Sequence, residues 1–218
     1  MRLYEFDWGI YPRRVLVYLA EKGITDIDLV PVDAMNGENR QPPFLALNPS
    51  GTVPVLELRP GVVIRQSAAI MEYLEEAHPY PNMIGDTPEK RAATRDLMSM
   101  INDCYIYLGN YFGHSSPALA QMIDQKADAA AASYARYHRA IREIEQVVGG
   151  GEFLCGDRPT IADCMMFASA QFAGRLYGEL LPLDCAKLNA FCLRFGQRPG
   201  AAAPEYPEAF HRLALSPR

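Results

Sequence analysis

Asn48-Pro49-Ser50-Gly51-Thr52-Val53-Pro54-Val55-Leu56 decides the fold of this chain, together with Gln66-Ser67 a short hairpin later. Asn-Pro-Ser-Gly is turn chemistry. Proline fixes φ, glycine permits φ > 0, and Asn and Ser side chains hydrogen-bond the local backbone. Residues 53–58 read as a strand with Pro54 near its start. A proline donates nothing to a sheet ladder, so it belongs at an edge, at a strand's first residue or in a cis turn. A cis Val53-Pro54 bond would turn the N–H and C=O of Val53 outward, free to pair with an extended, peptide-like ligand.

Outward from this stretch, Arg59-Pro60-Gly61 reads as a hairpin turn and Val62-Val63-Ile64 as a second strand. Gln66-Ser67 then opens a helix whose apolar positions Ile70, Tyr73, Leu74 and Ala77 keep the helical period. Ser67 suits an N-cap, and a helix N-terminus is an anion site. A backbone edge for a peptide therefore lies close to a place for a carboxylate.

On the amino-terminal side, residues 2–6 read as a first strand, Trp8 to Pro12 as a loop, and Pro12 as the first residue of a helix that carries Val15, Leu16, Leu19 and Ala20 and stops at Gly23. Residues 27–32 form a second strand, and residues 44–47 hold only a short helical turn. The order is βαβ, short helix, ββα. Pro79, Pro81, Gly85 and Pro88 mark the best domain boundary. Beyond it Ala93, Leu97, Ile101, Cys104, Leu108 and Phe112 trace one helix face ending near Gly113, and Ala130, Tyr134, Tyr137, Ile141, Ile144 and Val148 trace another. Thr160 and Asp163 have capping-box spacing before a further helix. Residues 186–195 and 208–215 supply two more.

With 218 residues, 49% of them apolar and 22% charged, the chain has the balance of a soluble globular protein and material for two modest domains. A net charge of −5 gives no reason to expect nucleic-acid or acidic-membrane partners. No apolar run is long enough to span a bilayer, and Glu5, Asp7 and Pro12 interrupt any amino-terminal signal pattern, so a cytoplasmic location is expected. The five cysteines are odd in number and none forms Cys-x-x-Cys, and the four histidines are scattered. We expect buried, reduced thiols and no metal.

The pattern Asn48-Pro-Ser-Gly51-Thr-Val53-Pro54-Val-Leu56 followed by Gln66-Ser67 resembles the soluble glutathione S-transferases. The stretch Phe153-Leu154-x-Gly156-Asp157-x-Pro159-Thr160 resembles the buried capping-box helix of their helical domain. The resemblance covers nearly the whole chain. It implies a thioredoxin-like α/β domain (1–79), a linker (80–87) and an all-helical domain (88–218) that contributes a hydrophobic substrate site. It also implies glutathione as co-substrate, a small hydrophobic electrophile as partner, and a homodimer.

By that resemblance the Val53 backbone, beside Pro54, pairs with the cysteinyl unit, Gln66 and Ser67 take the γ-glutamyl carboxylate, and Arg40 or Gln41 reaches the glycyl carboxylate. Trp8, Tyr11, Tyr107 and Tyr111 are candidates for the electrophile pocket, and Thr160 and Asp163 have a folding role. The thiol activator departs from the family pattern. Arg14-Val15 matches the anchor that follows an activating serine or cysteine, yet Gly9, Ile10, Tyr11 and Pro12 precede it, and residues 1–103 hold no cysteine. Tyr11 is the first candidate for the hydroxyl and Tyr4 the second, with backbone N–H groups of residues 10–13 or a tyrosine of the first long helix (Tyr105, Tyr107, Tyr111) as further options. A thiol of pKa about 8.5 brought down by about two units needs roughly 2.7 kcal/mol of differential stabilisation. A hydroxyl donor and a helix N-terminus reach that order. The expected activity is attack of the glutathione thiolate on an electrophile, by conjugation, cleavage or isomerisation. The alternatives are a non-catalytic interaction protein on the same fold and a glutathione-dependent disulfide reductase.

Overall fold

A computed structural model describes residues 1–216. Its amino-terminal half runs β1 (Arg2–Glu5), α1 (Ile10–Lys22), β2 (Asp28–Pro31), α2 (Pro42–Leu47), β3 (Val55–Arg59), β4 (Val62–Ile64) and α3 (Ser67–Ala77). The helical half comprises α4 (Pro88–Ser115), α5 (Ala127–Val147), α6 (Ile161–Tyr177), α7 (Ala186–Phe195) and α8 (Glu208–Ala214). The sheet order is β2-β1-β3-β4, with β1 parallel to β2 and the other pairs antiparallel. The fold is thus a thioredoxin-like α/β unit followed by a helical one.

Strand alternation decides which side chains meet which helices. Leu3 pairs with Leu56, and both enter the main core with Val15, Ile70 and Leu74 of α1 and α3. Tyr4 pairs with Val55, and these turn to a smaller cluster with Val32 and Phe44, the latter from α2. The hairpin turns at Gly61, where φ is 80°, and an irregularity between Glu57 and Arg59 shifts the register.

Two helix starts differ from the sequence reading. α1 begins at Ile10 with Gly9 as its N-cap, so Pro12 is the third helical residue, not the first. Proline is tolerated there because the N–H groups of a first turn have no helical partner. α3 is capped by Gln66, which leaves Ser67 as its first helical residue. Ala20 and Ala93 are exposed, whereas Arg14, Val17, Tyr18 and Lys22 are buried on α1 and Thr94 on α4. α4 itself continues past Gly113 to Ser115, although its buried face ends at Gly113.

A buried polar knot ties the two halves of the α/β unit to the segment that leaves it. Glu75 of α3 accepts from Lys22 Nζ at 2.6 Å and from the Tyr18 hydroxyl at 2.8 Å through Oε2. Its Oε1 accepts from the Met83 N–H at 2.8 Å, while Lys22 also donates to the Pro81 carbonyl. In the helical half, Asp163 is 0% exposed. Its Oδ2 accepts from the Thr160 N–H at 2.7 Å and hydroxyl at 2.6 Å, and Oδ1 from the Leu154 N–H at 2.8 Å. Burial outweighs these bonds and pushes the Asp163 carboxyl up to about 6. Cysteines are free, and Cys155 is exposed rather than buried, because it sits in the loop before α6.

Candidate functional site

The turn that precedes β3 is held by its own side chains. Asn48 Nδ2 donates to the Thr52 carbonyl at 2.7 Å, Asn48 Oδ1 accepts from the Ser50 hydroxyl at 2.9 Å, and the Gly51 N–H donates to the Asn48 carbonyl at 2.9 Å. Gly51 has φ 63°, and a Cβ there would meet Arg40 Nη1 at 2.8 Å and the Asn39 carbonyl at 2.9 Å, so no other residue fits. Val53-Pro54 is cis. The sheet register begins at Val55 opposite Tyr4, so Val53 lies outside the ladder.

Two residues, Arg65 and Gln66, separate the end of β4 from the start of α3. Its first turn holds no acidic residue and no side chain caps it. The N–H groups of residues 66–69 therefore precede the first i→i−4 bond, which the Ile70 N–H makes to the Gln66 carbonyl at 2.8 Å. Ser67 is buried and Gln66 exposed. The positive end of the helix dipole is uncompensated, which favours a carboxylate. Arg40 donates Nη1 to the Ser50 carbonyl at 3.0 Å and so leans on the turn. Gln41 is exposed and caps α2.

α1 offers a second uncapped start: Gly9 provides no side chain and the first turn has no acid. Tyr11, half-buried, lines a cavity of about 180 Å³ with Ile10, Leu108, Phe112, Phe172 and Tyr177 among its neighbours. The cavity therefore lies where α1, α4 and α6 meet. Arg14 lies against the Tyr11 ring, its Cζ 4.8 Å from the ring centroid. A larger cavity of about 610 Å³ lies between Tyr80–Met83 and Arg158-Pro159. It includes none of the residues of the motif or of the first loop, so the smaller one is the site of interest.

Four sequence-based candidates fall elsewhere. Trp8 is 8% exposed and packs on Phe6, Tyr206 and Phe210, with centroids 4.3, 6.2 and 5.4 Å away, so it is core and does not line the cavity. Tyr107 meets Arg136 of α5 and Tyr111 stacks near Tyr134 of α5 at 4.3 Å. On α4 the cavity-lining residues are instead Tyr105, Leu108, Gly109 and Phe112, a single i, i+3, i+4, i+7 face that partly coincides with the apolar stripe. Tyr4 packs edge-on to Phe44 and donates its hydroxyl to Glu57 at 3.2 Å, on the α2 side of the sheet.

The burial of Arg14 and Glu5 escaped the sequence reading. Arg14 is 0% exposed, and burial pulls its guanidinium down to about 10. Glu5 at the end of β1 is buried with Oε2 lacking a hydrogen-bond partner, and burial, aided by Asp7, pushes its carboxyl up to about 7. Glu5 shares the alternation of Leu3, which is the one signal that placed it inward. Among the described residues no cluster of His, Cys, Asp and Glu is built to hold a metal ion, and no helix is long and apolar enough to cross a membrane.

A stitched turn, a strand that starts beyond Val53, an uncapped start of α3, and an uncapped start of α1 that lines a cavity against α4 and α6 define a glutathione-transferase architecture, and the whole chain agrees with it. Residues 8–77 match the family description "Glutathione S-transferase, N-terminal domain" and residues 127–194 match "Glutathione S-transferase, C-terminal domain". The chain belongs to the glutathione S-transferase family and is an enzyme of that family. Among its relatives, the maleylacetoacetate isomerase of Pseudomonas aeruginosa is 31% identical, with 96% of this chain and 100% of the relative aligned. Glutathione S-transferase 2 of Saccharomyces cerevisiae is 30% identical over 91% of this chain and 87% of its own length. Among solved structures, a glutathione S-transferase domain-containing protein of Marinobacter aquaeolei superposes with a TM-score of 0.82 at 34% identity, covering 93% of this chain and 100% of that one. Gtt2 from Saccharomyces cerevisiae superposes at 0.80 with 29% identity, covering 92% and 98%.

Proposed function

We propose that this enzyme binds glutathione across the Val53 backbone and the start of α3, and directs its thiolate at an electrophile in the cavity between α1, α4 and α6. The observation that carries the reading is that Val53 lies outside the sheet ladder while α3 starts uncapped just beyond β4. An extended tripeptide needs both features: main-chain partners for its middle and an anion site for one end. Ser67 and the N–H groups of residues 67 and 68 hold the γ-glutamyl carboxylate, with Gln66 beside them. Arg40, with guanidinium N–H groups beyond the one given to Ser50, reaches for the glycyl carboxylate, and Gln41 is its neighbour.

The thiol lies over the start of α1. There the N–H groups of residues 10 and 11 and the Tyr11 hydroxyl stabilise the thiolate, while Pro12 contributes no donor. The electrophile occupies the aromatic-lined cavity. Conjugation and glutathione-dependent isomerisation use the same thiolate attack. The isomerase named among the relatives, aligned over its full length, supports testing both. The working form is a cytoplasmic homodimer, with residues 1–79 binding glutathione and residues 88–218 supplying the far wall of the cavity. The test is retention on glutathione-agarose, followed by assays with a chlorinated nitroaromatic and with maleylacetoacetate. Retention with turnover of either substrate supports the reading; no retention overturns it. Sedimentation velocity tests the dimer.

A further inference from the structure

We propose that Arg14 makes the cavity between α1, α4 and α6 selective for electrophiles that carry a carboxylate on an aromatic or unsaturated frame; this rests on the reading of that cavity as the electrophile site. Buried guanidinium groups are almost always paired with acids, because an isolated charge is costly away from water. Arg14 is not paired in that way. Its Nε donates to the Ser169 hydroxyl at 3.0 Å and its Nη1 to Asn102 Oδ1 at 3.2 Å, both neutral acceptors. Its Nη2 is buried with no hydrogen-bond partner. Among the described residues no carboxylate forms an ion pair with it.

The uncompensated charge sits behind one wall of the cavity. Arg14 Cζ lies 4.8 Å from the centroid of Tyr11, and Tyr11 lines the cavity. Tyr105, another lining residue, has a buried hydroxyl that also lacks a partner. The rest of the lining is apolar apart from the Tyr177 hydroxyl and includes no acid to oppose the charge. A cation embedded in protein is felt through a medium of low effective dielectric, and salt screens it far less than a surface charge. At about 180 Å³ the cavity takes one aromatic ring with a short arm, since an apolar cavity of about 150 Å³ takes benzene. The ligand that such a chamber prefers is an aryl or enoic monoanion over its neutral isostere.

Isothermal titration of the full-length protein with trans-cinnamate and with cinnamamide, near neutral pH and without glutathione, tests this. Wild type should bind cinnamate about tenfold tighter than the amide, as expected for a unit charge acting through an effective dielectric of about 20. The preference should persist in high salt. Arg14→Lys should keep most of it. Arg14→Gln should abolish it while cinnamamide affinity stays within about twofold. Leu108→Trp, which fills the cavity, should abolish binding of both. The proposal is overturned by equal affinity of wild type for the two probes, by a preference that salt removes, by Arg14→Gln weakening both probes alike, or by cinnamate binding that survives Leu108→Trp. Should Arg14→Gln not fold, the wild-type pair, the salt arm and Leu108→Trp still decide. Retention on glutathione-agarose with no preference for the acid sinks this proposal alone, whereas loss of retention sinks the functional reading beneath it.

Discussion

Replacing Lys22 by Met is the most informative perturbation of the scaffold. The Lys22 side chain is fully buried and that of Glu75 is 4% exposed, with Nζ and Oε2 2.6 Å apart. Methionine has similar length but removes the charge and the donor to the Pro81 carbonyl, leaving Glu75 with the Tyr18 hydroxyl and the Met83 N–H, each at 2.8 Å. Two neutral donors do not replace a cation, and breaking a buried pair from one side costs about 3–5 kcal/mol. For a chain of this size each kcal/mol moves Tm by roughly 2–4 °C, so Tm should fall by about 10 °C. The double variant Lys22→Met/Glu75→Leu removes the stranded carboxylate and should recover part of the loss, even with Tyr18 and Met83 left short of an acceptor. Scanning calorimetry of the wild type and both variants at pH 7.5 measures this. A single variant within about 1 kcal/mol of wild type, or a double variant much worse than the single one, refutes the claim that the pair pins α1, α3 and the 81–83 segment together.

Other outcomes follow from the site. Ser67→Ala should weaken glutathione binding about 10–100-fold, the range for a hydrogen bond to a charged group, as read by titration calorimetry. Tyr11→Phe should leave retention on glutathione-agarose intact and lower kcat/KM about 10–100-fold, with the ultraviolet signature of bound thiolate reduced; an unchanged thiolate titration moves the activator elsewhere. Glu5 gives a pH dependence with a definite sign. Its carboxyl is raised from 4.5 to about 7, so the folded state holds the proton more tightly than the unfolded one. Its contribution to stability is fully present below pH 4.5 and is lost as pH rises through about 7. Glu5→Gln should therefore flatten the decline of Tm across that window; a decline identical to wild type would show that Glu5 is not its source.

The turn at the start of the motif from Asn48 to Leu56 was legible because its residues do local work: the side chains of Asn48 and Ser50 bond within five residues of themselves. Gly23 and Gly61 likewise end α1 and turn the hairpin at positive φ, a local requirement that sequence exposes directly. Helix starts were less legible. Pro12 and Ser67 are favoured first and cap residues, yet Gly9 and Gln66 occupy the caps, because no side-chain bond decides either start. The aromatic residues of the cavity were misplaced for a different reason. Periodicity shows that Tyr105, Leu108 and Phe112 face inward, but not that part of that interior is empty space. Tyr107 and Tyr111 looked free for a substrate, and α5 takes them. Trp8 is covered by Tyr206 and Phe210, about two hundred residues later, a contact with no local signature. Arg14 was read as an anchor for the motif around it; its burial against Ser169 and Asn102 depends on the packing of α1 against α6 and α4.

The central claim is that the Val53 backbone and the start of α3 together hold glutathione by its middle and its γ-glutamyl end. Titration calorimetry with glutathione and with cysteinylglycine, which lacks the γ-glutamyl unit, tests it most directly. The account predicts saturable binding of glutathione, at least about tenfold weaker binding of the dipeptide, and a Ser67→Ala variant that narrows the difference. Equal affinity for the two peptides, or no saturable binding of glutathione, would contradict it.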